Sequence, residues 1–273
     1  SVYKNESDQK VWEIISLALS ELKKFVDRDT AAEHMLRTFA ADLARMQYTR
    51  LGWSMAQGEP EQDTKLRAIV IGCMLYGEDV DAIRQARELY HANTLEQLDA
   101  ELRPLIIGAV VRNDQQPHNI VRTLLQAYED STSAELRSDI ASGVTATRDY
   151  SELKHLTRLL TNTRVIRSQD TIHWFVDLLR NREGRELAWK WLRDNWKWIE
   201  KTFASDKSHD YFPRYAAMLL MTRQQLAEYC EFFTPLRRDQ SLVRAIDMGI
   251  LDLEGKLDLI DRDKAAVIAA LAK

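Results

Sequence analysis

Glycine and proline are scarce in this chain, nine and five in 273 residues, which weighs against a strand-and-turn architecture, since tight turns depend on both. The two cysteines, Cys73 and Cys230, lie far apart in apolar, helix-like settings. They give neither a disulfide framework nor a Cys/His spacing for zinc, and are expected to be buried free thiols. No apolar run reaches the roughly 18–20 residues of a membrane span, and the opening Ser-Val-Tyr-Lys-Asn-Glu has no export-signal core. A basic excess is missing too: 38 Lys and Arg stand against 42 Asp and Glu, a net charge of −4. Neutralising phosphates needs clustered excess cations, so no nucleic-acid and no membrane partner is expected. Free thiols without an export signal predict a cytoplasmic protein.

Catalytic templates are equally scarce. The six histidines are His34, His91, His118, His155, His173 and His209, and no two are three or four residues apart. The chain therefore lacks His-Glu-x-x-His, which sets two imidazoles on one helical face around a zinc ion. Glu33-His34 is an isolated pair on an amphipathic helix. There is no Gly-x-Ser-x-Gly elbow, no phosphate-cradling glycine loop, and no cysteine with a partner histidine in a known signature. The residues predict no catalytic group and no metal or cofactor in this chain.

What is abundant is helix former: Ala, Leu, Glu, Gln, Arg and Lys. Trp12, Ile15, Leu19, Leu22 and Val26 recur at steps of three and four, the stripe of an amphipathic helix. A second helix is expected from about Asp29-Thr30 to Arg50, closed by Leu51-Gly52 before the loop at Gln57-Gly58-Glu59-Pro60. Capping boxes are read at Thr94/Gln97, Thr132/Glu135, Asp149/Glu152 and Thr222/Gln225. The run from Leu105 to Val111 has no period, and Pro104 at its start assigns it to helix. Pair starts near His118, Asp149, Glu183 and Thr222 fall about 31–39 residues apart, the range of helical-hairpin repeats. Residues 1–273 are thus expected to form one all-α domain of about 13–16 helices in antiparallel pairs, a right-handed HEAT- or armadillo-like α-solenoid.

Residues 184–198 hold four tryptophans. On one helix, Trp189, Leu192 and Trp196 share a stripe while Trp191, Asn195 and Trp198 share another, and a helix apolar on two faces is sandwiched between neighbours. Asp170 is expected in the first turn of a helix, where a carboxylate suits the positive dipole end. Asn181 and Gly184 are expected to flank a tight inter-helix turn, with Gly184 in a left-handed cap.

Several islands occur in one order: Val11-Trp12 after Glu6-Ser7-Asp8, Leu51-Gly52-Trp53 before Leu66-Arg67, Ile166 to Asp170, Asn181 with Gly184, Ala188-Trp189, Asn195-Trp196, Thr222 to Leu226, and Glu231-Phe232-Phe233. In that order they resemble the C-terminal helical domain of zinc aminopeptidases of the aminopeptidase N type, shared with the endoplasmic-reticulum aminopeptidases. The family domain opens with further helices before the Val-Trp motif and often carries a tryptophan near its end. The resemblance therefore implies a fragment, with its last helices less closely matched than its centre. It also implies a non-catalytic role: a domain that packs on the catalytic domain of the same polypeptide, covers the active-site chamber and limits peptide access. Zinc would belong to that catalytic domain, in an enzyme releasing N-terminal residues from peptides.

Between Glu152 and Lys201 eleven Lys and Arg face seven Asp and Glu, against the chain's acidic average. Solvated helix faces account for this excess; the alternative is a positive lining for peptide carboxylates that includes Arg164, Arg167 and Arg182. Composition and periodicity leave a second function open, a free-standing helical-repeat scaffold that binds a protein or peptide partner on its concave face.

Overall fold

The computed structural model describes residues 2–203, 205 and 208–272, with the backbone alone at Val2 and Lys4. Among the described residues there are fourteen α-helices and no strand. The chain divides into two compact units, Ser1–Asn113 with Arg262–Lys273, and Asp114–Asp261.

The first unit holds α1 (Gln9–Leu22), α2 (Ala31–Leu51), α3 (Glu61–Tyr76), α4 (Val80–Ala92) and α5 (Arg103–Asn113). Helix α2 starts where the sequence places it, with Thr30 Oγ1 accepting from the Glu33 amide at 3.3 Å. It ends at Gly52, whose φ of +55° is open to a residue without Cβ. The segment 105–111 is helical inside α5. Helix α3 packs on α1, α2, α4 and α5. Along α2 and α3 the buried positions are mostly small or aliphatic: Leu36, Ala40, Ala44, Val70, Ile71 and Met74. Cys73 lies in this seam, where burial pushes its thiol up to about 11, far from the reactive thiolate form. Cys230, expected to be buried, is half-buried; both thiols are free.

The second unit holds α6 (Pro117–Asp130), α7 (Ala134–Val144), α8 (Tyr150–Leu159), α9 (Ser168–Arg180), α10 (Arg185–Asp194), α11 (Trp196–Phe203), α12 (Tyr211–Leu219) and α13 (Arg223–Phe233). Helix α14 (Gln240–Leu271) belongs to this unit as far as Asp261. Besides consecutive pairs, alternate helices touch: α6 with α8, α7 with α9, and α8 with α10. The caps at Asp149 and Thr222 form, bonding the amides of Glu152 and Gln225 at 2.9 and 3.1 Å.

Three local expectations need correction. Thr94 and Gln97 do bond, the Thr94 amide donating to the Gln97 side chain at 2.9 Å, but they close a turn and not a helix. At the next box Ser133, not Thr132, caps the helix by accepting from the Leu136 amide. The tryptophan-rich stretch is two helices, because Asn195 leaves the helical region (φ −113°, ψ 17°) and its side-chain amide donates to the Trp191 carbonyl at 2.8 Å. The Asn195 backbone amide donates to the same carbonyl at 3.0 Å, so backbone and side chain together close the last turn, and α10 stops there.

Candidate functional site

Helix α9 carries the motif residues at its two ends. Arg167 is its N-cap position without a side-chain cap bond. Asp170 lies in the first turn as expected, and its carboxylate is also a tertiary anchor. Asp170 Oδ2 accepts from the Tyr128 hydroxyl at 2.9 Å and stands 3.8 Å from Arg137 Nε. Tyr128 is buried, which pushes its phenol up to about 12, and Trp174 meets its ring edge-on at 5.2 Å. Arg137 is 5% exposed and its Nη1 reaches the Ser131 carbonyl at 3.4 Å. Tyr128, Arg137, Ser138, Gln169, Asp170 and His173 line a pocket of about 160 Å³. Sequence reasoning missed this pocket because its members come from three helices, and Tyr128 and Asp170 are 42 positions apart. No short spacing links them.

A Ser/His/Asp cluster borders the same pocket. His173 Nε2 lies 3.3 Å from Ser138 Oγ, 3.2 Å from Ser142 Oγ and 3.2 Å from Asp177 Oδ2, and Ser142 Oγ donates to Asp177 Oδ2 at 2.9 Å. A nucleophilic triad needs the imidazole to bridge serine and carboxylate through different nitrogens. Here one nitrogen meets all three groups, so the cluster ties α7 to α9 and does not relay a proton. His209 repeats the pattern, with Ser241 Oγ and Asp239 Oδ2 both on its Nε2 at 3.2 and 3.4 Å. Among the described residues no group of three or more His, Cys, Asp or Glu side chains is arranged to hold a metal ion.

At the far end of α9, Asn181 closes the helix and secures the neighbouring hairpin loop: its Nδ2 donates to the carbonyls of Thr145 and Thr147 at 2.7 and 2.8 Å. Its Oδ1 accepts from the Glu183 amide, which is the local bond expected of it. Gly184 is not in the left-handed region; its φ is −92°. It is glycine for lack of space, since a Cβ there would lie 2.9 Å from the Leu178 carbonyl oxygen and 3.2 Å from Leu153 Cδ2. Next to it Arg185 donates to the Leu179 carbonyl at 3.1 Å, and burial, with Arg182 nearby, pulls its guanidinium down to about 10.

The tryptophans are core. Trp189 is fully buried and Trp191 and Trp196 nearly so. Trp189 stacks on Tyr229 at 6.1 Å, and both Trp189 and Trp196 meet Phe232 and Phe233. The Trp189 indole donates to Glu228 at 2.7 Å, and Arg193 lies over its ring at 4.8 Å while pairing with Glu228 at 3.1 Å.

The three arginines read as a carboxylate lining are not one cluster. Arg164 sits in the loop ahead of α9 and Arg167 at its N-cap, both exposed; Arg182 is half-buried beyond its C-cap. The thirteen residues of α9, about 20 Å of helix, separate Arg167 from Arg182.

Residues 1–254 match the family described as ERAP1-like C-terminal domain. The chain is 32% identical to aminopeptidase N of Lactobacillus helveticus over 256 residues, covering 93% of this chain and 30% of that protein. It is 31% identical to aminopeptidase N of Lactococcus lactis subsp. cremoris over 272 residues, 98% of this chain and 32% of that protein. Aminopeptidase M1 of Arabidopsis thaliana is 23% identical over 257 residues, 92% of this chain. The chain thus spans about a third of the length of these relatives and corresponds to the C-terminal part of the aminopeptidase N proteins. No helix among the described residues is long and apolar enough to cross a membrane.

Proposed function

Because the chain belongs to the ERAP1-like C-terminal domain family, we propose that it is the non-catalytic C-terminal domain of an aminopeptidase N-like zinc metallopeptidase. In this reading it packs on the catalytic domain of the same polypeptide, covers the active-site chamber and shapes the access of peptide substrates. One observation carries the reading: similarity over nearly the whole chain to the C-terminal part of aminopeptidase N. The geometry agrees with it, because the motif residues Asp170, Asn181, Gly184, Trp189, Asn195 and Trp196 serve packing and capping. Zinc and the water it activates belong to the catalytic domain. This chain's part is enclosure and orientation, which lower a barrier without supplying a nucleophile.

The fold we propose for residues 1–273 is one right-handed HEAT- or armadillo-like solenoid domain. It is supported by the alternate-helix contacts within the second unit and by a family match that runs across both units. Cytoplasmic location is part of the same proposal, resting on free thiols.

Arg164, Arg167 and Arg182 are the proposed contacts for peptide carboxylates, with Arg164 and Arg167 acting near one end of α9 and Arg182 near the other. In the full-length enzyme, Arg167→Gln is expected to raise KM several-fold for longer peptides with free C-termini, about the value of one surface charge-assisted contact. Short aminoacyl chromogenic substrates should be unaffected. Equal effects on both substrate types would remove Arg167 from the site. The enclosure reading itself fails if the separately produced chain hydrolyses aminoacyl substrates with zinc-dependent activity, in protein shown free of contaminating peptidase.

A further inference from the structure

The pocket between α6, α7 and α9 is polar and its buried groups are not satisfied by the protein. Tyr128, Arg137 and Trp174 in its lining are buried, whereas Ser138, Gln169 and His173 are exposed, so buried polar groups face a space that solvent reaches. Its volume of about 160 Å³ is several times the roughly 30 Å³ that one water takes up in the liquid. A guanidinium is a fork of N–H donors, and little answers that of Arg137. Its Nη1 reaches the Ser131 carbonyl at 3.4 Å, Asp170 Oδ2 stands 3.8 Å from Nε, and Nε is buried without an acceptor. The Trp174 indole N–H is also buried with no aligned acceptor. Donors left unmade in a buried site cost free energy that an incoming oxygen restores.

Asp170 has the opposite need. Its Oδ2 accepts from the Tyr128 hydroxyl at 2.9 Å, while Oδ1 has no partner among the described residues, and the side chain is 25% exposed. Charge then selects the occupant. An anion that answers Arg137 alone lies against the Asp170 carboxylate, and a cation that answers Asp170 alone lies against the guanidinium; like charges so placed are unfavourable. A small molecule carrying both signs avoids both contacts. In an α-amino acid the ammonium and the carboxylate are attached to one Cα, which sets opposite charges apart on the scale of the 3.8 Å between Arg137 Nε and Asp170 Oδ2.

We propose that this pocket binds a small free α-amino acid, its carboxylate on Arg137 and Trp174 and its ammonium on Asp170. The binding claim stands on the pocket alone. One consequence rests on the proposed function: the domain then meets the class of product that the parent enzyme releases.

The test uses full-length protein with isotope-labelled tryptophan and glycine as the probe. The readout is the Trp174 indole N–H resonance, identified by its loss in Trp174→Phe. Glycine is expected to shift that resonance saturably. Acetate and methylammonium should bind about tenfold more weakly, because each keeps one charge-assisted contact and loses the other. Asp170→Asn leaves an oxygen for the Tyr128 hydroxyl and removes the charge, so it should weaken glycine about tenfold and erase its preference over acetate. Arg137→Met should abolish the shift, with a melt to show that each variant is folded; if Arg137→Met does not fold, Asp170→Asn decides. No saturable shift with glycine, which leaves water as the occupant, would overturn the proposal. So would acetate binding as tightly as glycine, the mark of a plain anion site, or unchanged glycine binding in folded Asp170→Asn. Aminopeptidase activity of the same preparation tests the parent reading separately. The shift without activity keeps the site and sinks the enzyme reading; activity without the shift does the reverse.

Discussion

The two units solve the burial problem with different side chains. The first packs α2 against α3 through small and aliphatic residues, and in the same unit buries charge as pairs: Glu59 with Arg67, and Arg37 with Glu33 and Glu78. The second is filled by a block of rings from Trp174 to Phe233. Small residues let helices approach until few voids remain, whereas rings fill wider gaps and bring polar N–H groups inward. Trp189 finds Glu228 for its N–H. Among the described residues the buried indole N–H groups of Trp191 and Trp196 have no acceptor. The aromatic unit gains contact area and tolerates unsatisfied indole donors; the aliphatic unit pairs its buried charges, with Arg37 Nε left without an acceptor, and depends on each partner staying in place.

The largest expected effect breaks the aromatic side of this contrast. Trp189→Ala should cost about 3–5 kcal/mol, from lost burial plus a cavity that the surrounding rings only partly fill. Trp196→Ala should cost less, in the lower part of that range, because its N–H has no bond to lose. Both rings rest on Phe232 and Phe233, so the double variant should be non-additive. Urea titrations measure all three. A loss below about 1 kcal/mol for Trp189 would mean the ring is not core.

The aliphatic unit should break through charge. Arg67 and Glu59 have side chains only 3% and 7% exposed, and Arg67 Nε also donates to the Leu51 carbonyl at 3.2 Å. Arg67→Met alone should cost about 3 kcal/mol by stranding a buried carboxylate, and adding Glu59→Leu should recover part of that loss. If the double variant loses the sum of the two single losses, burial of the pair does not explain its importance.

The all-α class was legible in the sequence because helices with one apolar stripe declare themselves at a period of 3.6, and caps such as Asp149 and Thr222 are read from residues three apart. The failures were local competitions that the period does not record. Asn195 interrupts a pattern that runs on through Trp196 and Trp198. Gly184 answers close approaches by the Leu178 carbonyl of α9 and the Leu153 side chain of α8, and the second of these no turn rule contains. The pocket around Arg137 and Asp170 was not legible for the same reason, its residues being brought together only by tertiary packing. Of the site residues, the architectural ones were recognisable from the family's order of motifs. The three arginines were read from a local positive charge beside the best-matched family motif, and neither signal says how the thirteen residues of α9 separate them.

The smallest effect sharpens the contrast at Glu228, a charge held against the rings of the aromatic unit. Burial raises the Glu228 carboxyl, but hydrogen bonds from Trp189 and Gln224 and the nearby Arg193 outweigh it and leave the group below its ordinary value of 4.5. A carboxylate with a depressed folded value binds its proton more weakly when folded than when unfolded. Its contribution is therefore fully present above 4.5 and is lost as the pH falls through the folded value. Glu228→Gln keeps an oxygen to accept the Trp189 N–H but gives Arg193 no charge. The stability gap between the native chain and this variant should be largest near neutral pH and close below 4.5. That gap should be smaller than the loss from either the Trp189 or the Arg67 change, because the carboxylate is about a quarter exposed and its pairing is screened. Melts of both proteins from pH 7 to pH 3 give the measurement, with variant differences cancelling the other carboxylates that titrate in the same window. A gap that stays constant across that range would show that the Trp189 bond, and not the charge, is what Glu228 supplies. The ring block would then owe its stability to packing and neutral hydrogen bonding alone, which would widen its difference from the ion-paired unit.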